Sequence, residues 1–113
     1  MERSFFDKEL QRELKSCWAR QADAHSHARV REPPWVCITR DSWHEALNVL
    51  PPRDWRHGGF VESFMLAELW SADEAHVPIG WLFARHRGRY FVTLARVTEQ
   101  QEALARLPAE VFA

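Results

Sequence analysis

Two cysteines, six histidines and thirteen arginines are the side chains of this 113-residue sequence whose types could carry chemistry. Nucleophilic catalysis would need Cys37 or Cys17 beside a base. Cys37 lies in the run Trp35 to Thr39 and His44 opens the segment after it, so the two could approach one another. The run is apolar, however, and an apolar setting raises a thiol's pKa and leaves it inert. A metal would need histidines at ligand spacing. His25 and His27 would chelate only from extended backbone, and His44, His57, His76 and His86 fall in separate segments with no recognised zinc spacing. There is no P-loop, no glycine-rich dinucleotide turn and no Gly-x-Ser-x-Gly elbow. The expectation is a non-enzymatic protein with no metal and no cofactor; a cysteine-dependent enzyme is the remote alternative.

The remaining constellation is basic and aromatic. Arg85, His86, Arg87 and Arg89 fall together, as do Arg53, Arg56 and His57 around Trp55. Arginine offers a planar fork of donors and tryptophan a large rigid apolar face, which is why the two dominate the energetic centres of interfaces. Of the six tryptophans, Trp18, Trp35, Trp43 and Trp81 occupy inward positions of their segments, whereas Trp55 and Trp70 sit at element ends and are the expected exposed anchors. The candidate binding residues are therefore Arg53, Trp55, Arg56, Trp70, Arg85, Arg87 and Arg89. The bland reading is that turns are polar because they are turns, and that a small core needs large side chains. With 15 basic against 16 acidic residues, no global basic field of the kind that dominates nucleic-acid affinity is present.

The elements that must position these residues follow from periodicity. From Ser4 to about Ala24, Phe6, Leu10, Leu14, Cys17 and Trp18 recur at helical spacing, with Ser4 as the expected cap. After Pro33 and Pro34, Trp35 to Thr39 reads as a buried strand. A second helix follows, capped by Asp41 or Ser42, with Trp43, Ala46, Leu47 and Leu50 inward, and Pro51 and Pro52 stop it. Arg53 to Gly59 reads as a connection. Phe60 to Trp70 carries helical and strand patterns together; the preceding glycines and Val61, Phe64 and Trp70 favour a strand. Ile79 to Arg85 and Tyr90 to Val97 make a hairpin, with Gly88 supplying positive φ at its turn. A last helix opens at Thr98 and runs through Leu107.

Length bounds this to one domain over residues 1–113, since one core serves chains up to about 150 residues. The order predicts an α+β fold, a small antiparallel meander sheet with helices packed on one face. No apolar run reaches the ~20 residues needed to span a bilayer and the opening residues are charged, so the expected location is the cytoplasm with both thiols reduced.

The stretch Leu50 to Trp55 (LPPRDW), with the later Gly88 to Phe91 (GRYF), resembles a family of small proteobacterial proteins of unknown function, often encoded on mobile elements. The resemblance covers roughly Trp43 to Val97. It implies no site residue, but it implies a setting in which small proteins bind and block host machinery, CRISPR complexes included. The expected function is thus a protein-binding domain that acts as an inhibitor or adaptor of a host complex. An RNA- or DNA-binding module using the same basic patch is the alternative, and Phe5 and Phe6 offer a homodimer seam.

Overall fold

The chain forms, in order, α1 (Lys8–Asp23), β1 (Val36–Ile38), α2 (Arg40–Val49), β2 (Arg56–Gly58), β3 (Val61–Trp70), β4 (Ile79–His86), β5 (Arg89–Arg96), a 3-10 turn (Val97–Glu99) and α3 (Gln100–Ala105). The computed structural model describes residues 3–23, 34–49, 56–58, 61–70 and 79–107, with the backbone alone at 19–23, 49, 56–58, 61, 62 and 67–70. The strands make one five-stranded sheet of order β1-β5-β4-β3-β2, antiparallel at every step. The meander runs from β2 to β5, and β1 is added beside β5. Helix α2 therefore lies on the path that carries the chain from one edge of the sheet to the other. The outer side of β1 is not left open. Arg3 N–H donates to the Cys37 carbonyl at 3.2 Å and Thr39 N–H donates to the Arg3 carbonyl at 2.9 Å, which extends the edge by one parallel bridge.

Alternation along β4 divides the core in two. Ile79, Trp81 and Phe83 point to a front face, where they meet Phe64 and Leu66 of β3, Val92 and Leu94 of β5, Leu10, Leu14 and Trp18 of α1, and Trp43 and Ala46 of α2. Leu82 and Ala84 point to the reverse face. There Leu82 joins Met65, Ala95 and Ala103, and Ala84 joins Phe91 and Leu107. The fold is α+β with an antiparallel sheet as expected, but the helices do not all pack on one face: the two longer ones share the front, because only there do α1 and α2 meet the apolar side chains of alternate strand positions. The short α3 covers the reverse, where the Trp35 indole N–H donates to the Ala103 carbonyl at 3.0 Å. A strand covered on both sides can be apolar almost throughout, which is why IGWLFA reads as an unbroken apolar run.

On the front face, aromatic rings set the packing. Phe64 and Phe83 stack at 4.6 Å between centroids, neighbours on facing strands. Phe5 meets Phe83 edge-on at 4.8 Å and Trp81 at 5.2 Å, while Trp43 meets Phe64 at 4.9 Å. Such offset and edge-to-face pairs are worth about 0.5–1.5 kcal/mol each beyond the area they bury.

The helix caps differ from those the sequence pattern indicates. Asp7, not Ser4, caps α1: its carboxylate accepts the Glu9 N–H at 2.8 Å. Ser4 begins the preceding turn, its carbonyl accepting from the Asp7 N–H, and this turn drives Phe5 into the core. Thr39, rather than Asp41 or Ser42, caps α2, with its hydroxyl accepting the Ser42 N–H at 3.1 Å. This frees the Ser42 hydroxyl, 2 % exposed, for another task. It accepts from the Phe5 N–H at 3.0 Å and from the Thr39 hydroxyl at 2.9 Å, and donates to the Ser4 hydroxyl at 3.1 Å. Two further readings are corrected. Arg56 to Gly58 is a strand rather than part of a connection, because it pairs with Val61–Ser63. The last helix opens through a 3-10 turn that no side chain caps, so Thr98 does not serve as its cap.

The Ser42 hydroxyl ties the N-terminal turn to the start of α2, and Ser42→Ala would leave the buried Phe5 N–H without its acceptor. We expect a loss of about 1–3 kcal/mol of unfolding free energy in urea titration. An unchanged midpoint would show that the hydroxyl cluster carries no weight.

Candidate binding surface

The hairpin turn is built from Arg87 and Gly88, with φ of 49° and 74°. Two successive positive φ values between residues paired as His86↔Arg89 define a type I′ turn, whose twist matches that of the flanking strands. Gly88 takes this conformation freely, and no heavy atom lies within 4 Å of where a Cβ would stand. Arg87 does not. A left-handed conformation costs an ordinary L-residue roughly 1–2 kcal/mol, and asparagine, aspartate or glycine is the usual occupant of this position.

Arg87, Gly88 and Arg89 are exposed, while His86, which precedes them, is 4 % exposed and fixes the base of the turn. The row Glu62–Arg85–Tyr90–Ile38 is the last that runs through β3, β4, β5 and β1 together. The pair His86↔Arg89 and the turn lie beyond that row.

The expected site residues separate in this geometry. Arg85 shares the front face with Trp81 and Phe83, and its guanidinium lies 5.5 Å from the Trp43 ring centroid. It is a half-buried rim of the core rather than part of the tip. The spacing of Trp81, Phe83 and Arg85 at alternate strand positions is the signal that places it there. Arg56 pairs with Ser63, and Ser63 pairs with Ala84, so the backbone of β2 reaches the hairpin end of the sheet about two strand spacings, roughly 10 Å, from β4. Trp70 pairs instead with Ile79, the first residue of β4. Its backbone is roughly 24 Å along the strand from His86 at ~3.4 Å per residue, so the arginines and Trp70 do not make one surface. Arg53 and Trp55 lie outside the described residues.

Other cations are used much as Arg85 is. Arg96 lies 5.0 Å from the Trp18 ring and bonds Glu99 at 3.1 Å, and Lys15 lies 5.7 Å from the Trp81 ring. Each such pair is worth about 0.5–2 kcal/mol, according to how far it is desolvated. Arg3 donates to Glu13 at 2.6 Å, and this hydrogen bond, with the charge of Glu13, raises its pKa above the ordinary arginine range. An open cavity of about 410 Å³ lies beside Glu9, Arg12, Glu13 and Ser16 on the outer side of α1.

The catalytic pair considered from sequence is not assembled. Cys37 packs against the reverse-face cluster of Ala84, Phe91 and Leu107, whereas His44 is exposed on α2, which covers the front, and receives a long hydrogen bond from Arg40 at 3.5 Å. The sheet stands between them. Phe5 is in the core, so a seam between copies through Phe5 and Phe6 would have Phe6 alone, which is 36 % exposed. Among the described residues no group of three or more His, Cys, Asp or Glu side chains could hold a metal ion, and no helix is long and apolar enough to cross a membrane. Comparison with protein families, with curated proteins and with solved structures finds no match.

Because the turn asks for a residue that tolerates positive φ, Arg87→Asn is expected to raise stability by about 1 kcal/mol. Gly88→Ala is expected to lower it by about 1 kcal/mol or more. Urea midpoints at an unchanged slope read both. A lower midpoint for Arg87→Asn would mean that the arginine side chain itself holds the turn.

Proposed function

We propose that this chain is a non-enzymatic domain that binds another protein through the hairpin end of its sheet. The observation that carries this reading is the pair of exposed arginines, Arg87 and Arg89, at a turn beyond the last row shared by four strands. The β2 backbone bearing Arg56 arrives at the same end. The narrower role, an inhibitor or adaptor of a host complex such as a CRISPR effector, encoded on a mobile element, rests on the LPPRDW and GRYF resemblance.

Two features favour a protein over a nucleic acid as partner. Modules that read single strands stack bases on exposed aromatics of a sheet. Here Phe64, Trp81, Phe83 and Phe91 are all buried under helices or neighbouring strands. The net charge of −1 also gives no long-range attraction for phosphates, and any local positive field is screened beyond about 8 Å at physiological salt.

A photo-crosslinking residue in place of Arg89 tests the reading. Irradiation in cells expressing the full chain should yield one discrete protein adduct, and the same residue in place of Arg12 on the outer side of α1 should not. Adducts of equal yield from both positions, or adducts only to nucleic acid, would overturn it.

A further inference from the structure

We infer that the slot filled by Arg3, Ser4 and Phe5, between the outer edge of β1 and the start of α2, is a peptide-binding site that the chain closes with its own segment. The ligand it fits is an extended stretch of a partner protein with a basic residue two positions before an aromatic one. Every backbone N–H and C=O of Arg3 and Phe5 is met from outside the segment. Arg3 N–H donates to the Cys37 carbonyl at 3.2 Å, and the Arg3 carbonyl accepts from the Thr39 N–H at 2.9 Å. Phe5 N–H donates to the Ser42 hydroxyl at 3.0 Å, and the Phe5 carbonyl accepts from the Gln11 side-chain amide at 3.1 Å. The Phe5 ring, 5 % exposed, enters the front-face cluster edge-on to Phe83 and Trp81. Main-chain bonds from alternate residues to a sheet edge, with a side chain in a pocket, are how domains bind peptides by strand addition.

The four backbone bonds recognise extended conformation and not sequence, so a foreign segment can make them as well as the chain's own. The side chains set what the sequence must be. The pocket beside Phe83 and Trp81 takes a ring, and Glu13, 2.6 Å from the Arg3 guanidinium, calls for a cation, which the charges of Glu9 and Asp7 also favour. The segment also stands outside the antiparallel register. It adds one parallel bridge at Ile38, whereas β1 is held to β5 through Val36, Cys37 and Ile38. Its departure breaks that bridge alone, so the segment can open without global unfolding. An incoming stretch of the same chemistry restores each contact that it displaces. The tethered segment competes at an effective concentration on the order of millimolar, which keeps the slot closed to weak ligands. This site is separate from the hairpin end and does not depend on the reading given for it.

The probe is a labelled peptide, Arg-Ser-Phe-Phe-Asp, acetylated so that its first N–H is an amide, and fluorescence anisotropy reads its binding to the full chain. The Phe5→Ala chain should bind it at least about tenfold more tightly than the wild-type chain, whose slot is competent only when its own segment is out. Adding Ser42→Ala to that chain, or replacing the first phenylalanine of the peptide by alanine, should weaken binding by about tenfold. Absence of binding to a folded Phe5→Ala chain, equal affinity for the two chains, or equal affinity for the peptide without that ring would overturn the inference. Hydrogen exchange in the wild-type chain decides the matter if Phe5→Ala does not fold. The Phe5 and Thr39 amides should exchange together and at least about tenfold faster than amides paired between β4 and β5; equal rates would mean that the segment leaves only with the whole fold, which would also overturn it. Wild-type chain that sediments as a dimer lost on Phe5→Ala substitution would assign the slot to a second copy and sink the foreign ligand.

Discussion

Phe83 stands where the N-terminal turn, α2 and the central strands meet. Its ring stacks on Phe64 across the β3–β4 pair, receives the edge of Phe5, and has the Trp43 indole 6.3 Å away. Truncating such a ring in a core commonly costs about 3–5 kcal/mol, a large part of the stability of a domain this size. The consequence reaches beyond energy. Phe5 can approach Phe83 only if the turn at Ser4 closes, and that turn is held by the hydroxyl of Ser42 in the first turn of α2. Ring packing and hydroxyl contacts thus fix the same two elements against one sheet face, one without direction and the other with it.

Covering the sheet on both sides has a functional corollary. Residues of β4 and β5 that alternate front and back are nearly all buried, so the strands have little free surface with which to meet a ligand. Contact is displaced to where pairing stops. The hairpin turn is such a place, and its residues are charged because the backbone beyond the last shared row must be solvated while the side chains before it need not be.

The hairpin was legible from IGWLFAR and YFVTLARV because period-two burial and a glycine at the turn agree. The strand at 61–70 was legible through its flanking glycines, even though Met65, Leu66 and Ala67 prefer helix; pairing along both β2 and β4 decides there, against propensity. What sequence could not show is partnership over distance. Ser42 looks like a cap because its spacing to Glu45 fits a capping box, yet its hydroxyl is drawn to Phe5, far away in the chain, and Thr39 takes the cap. The position of α3 is of the same kind. Its apolar Ala103 and Leu104, with Leu107 just past its end, state that it packs, not on which face.

The candidate site was legible in type but not in grouping. Counting tryptophan and arginine together suggested one sticky surface, but their side chains separate into internal and external uses. Trp18, Trp43 and Trp81 each carry a cation above a ring, supplied by Arg96, Arg85 and Lys15. An arginine there covers apolar surface with its stem and keeps its charge toward water. Such a pair closes the rim of a small core that has few residues to spare. This accounts for Arg85 and Arg96 through stability alone. Arg87 differs from them in its backbone, whose left-handed conformation is unfavourable for a side chain of its size. Abundance cannot separate an arginine laid over a ring from one exposed at a turn, because both contribute equally to the composition.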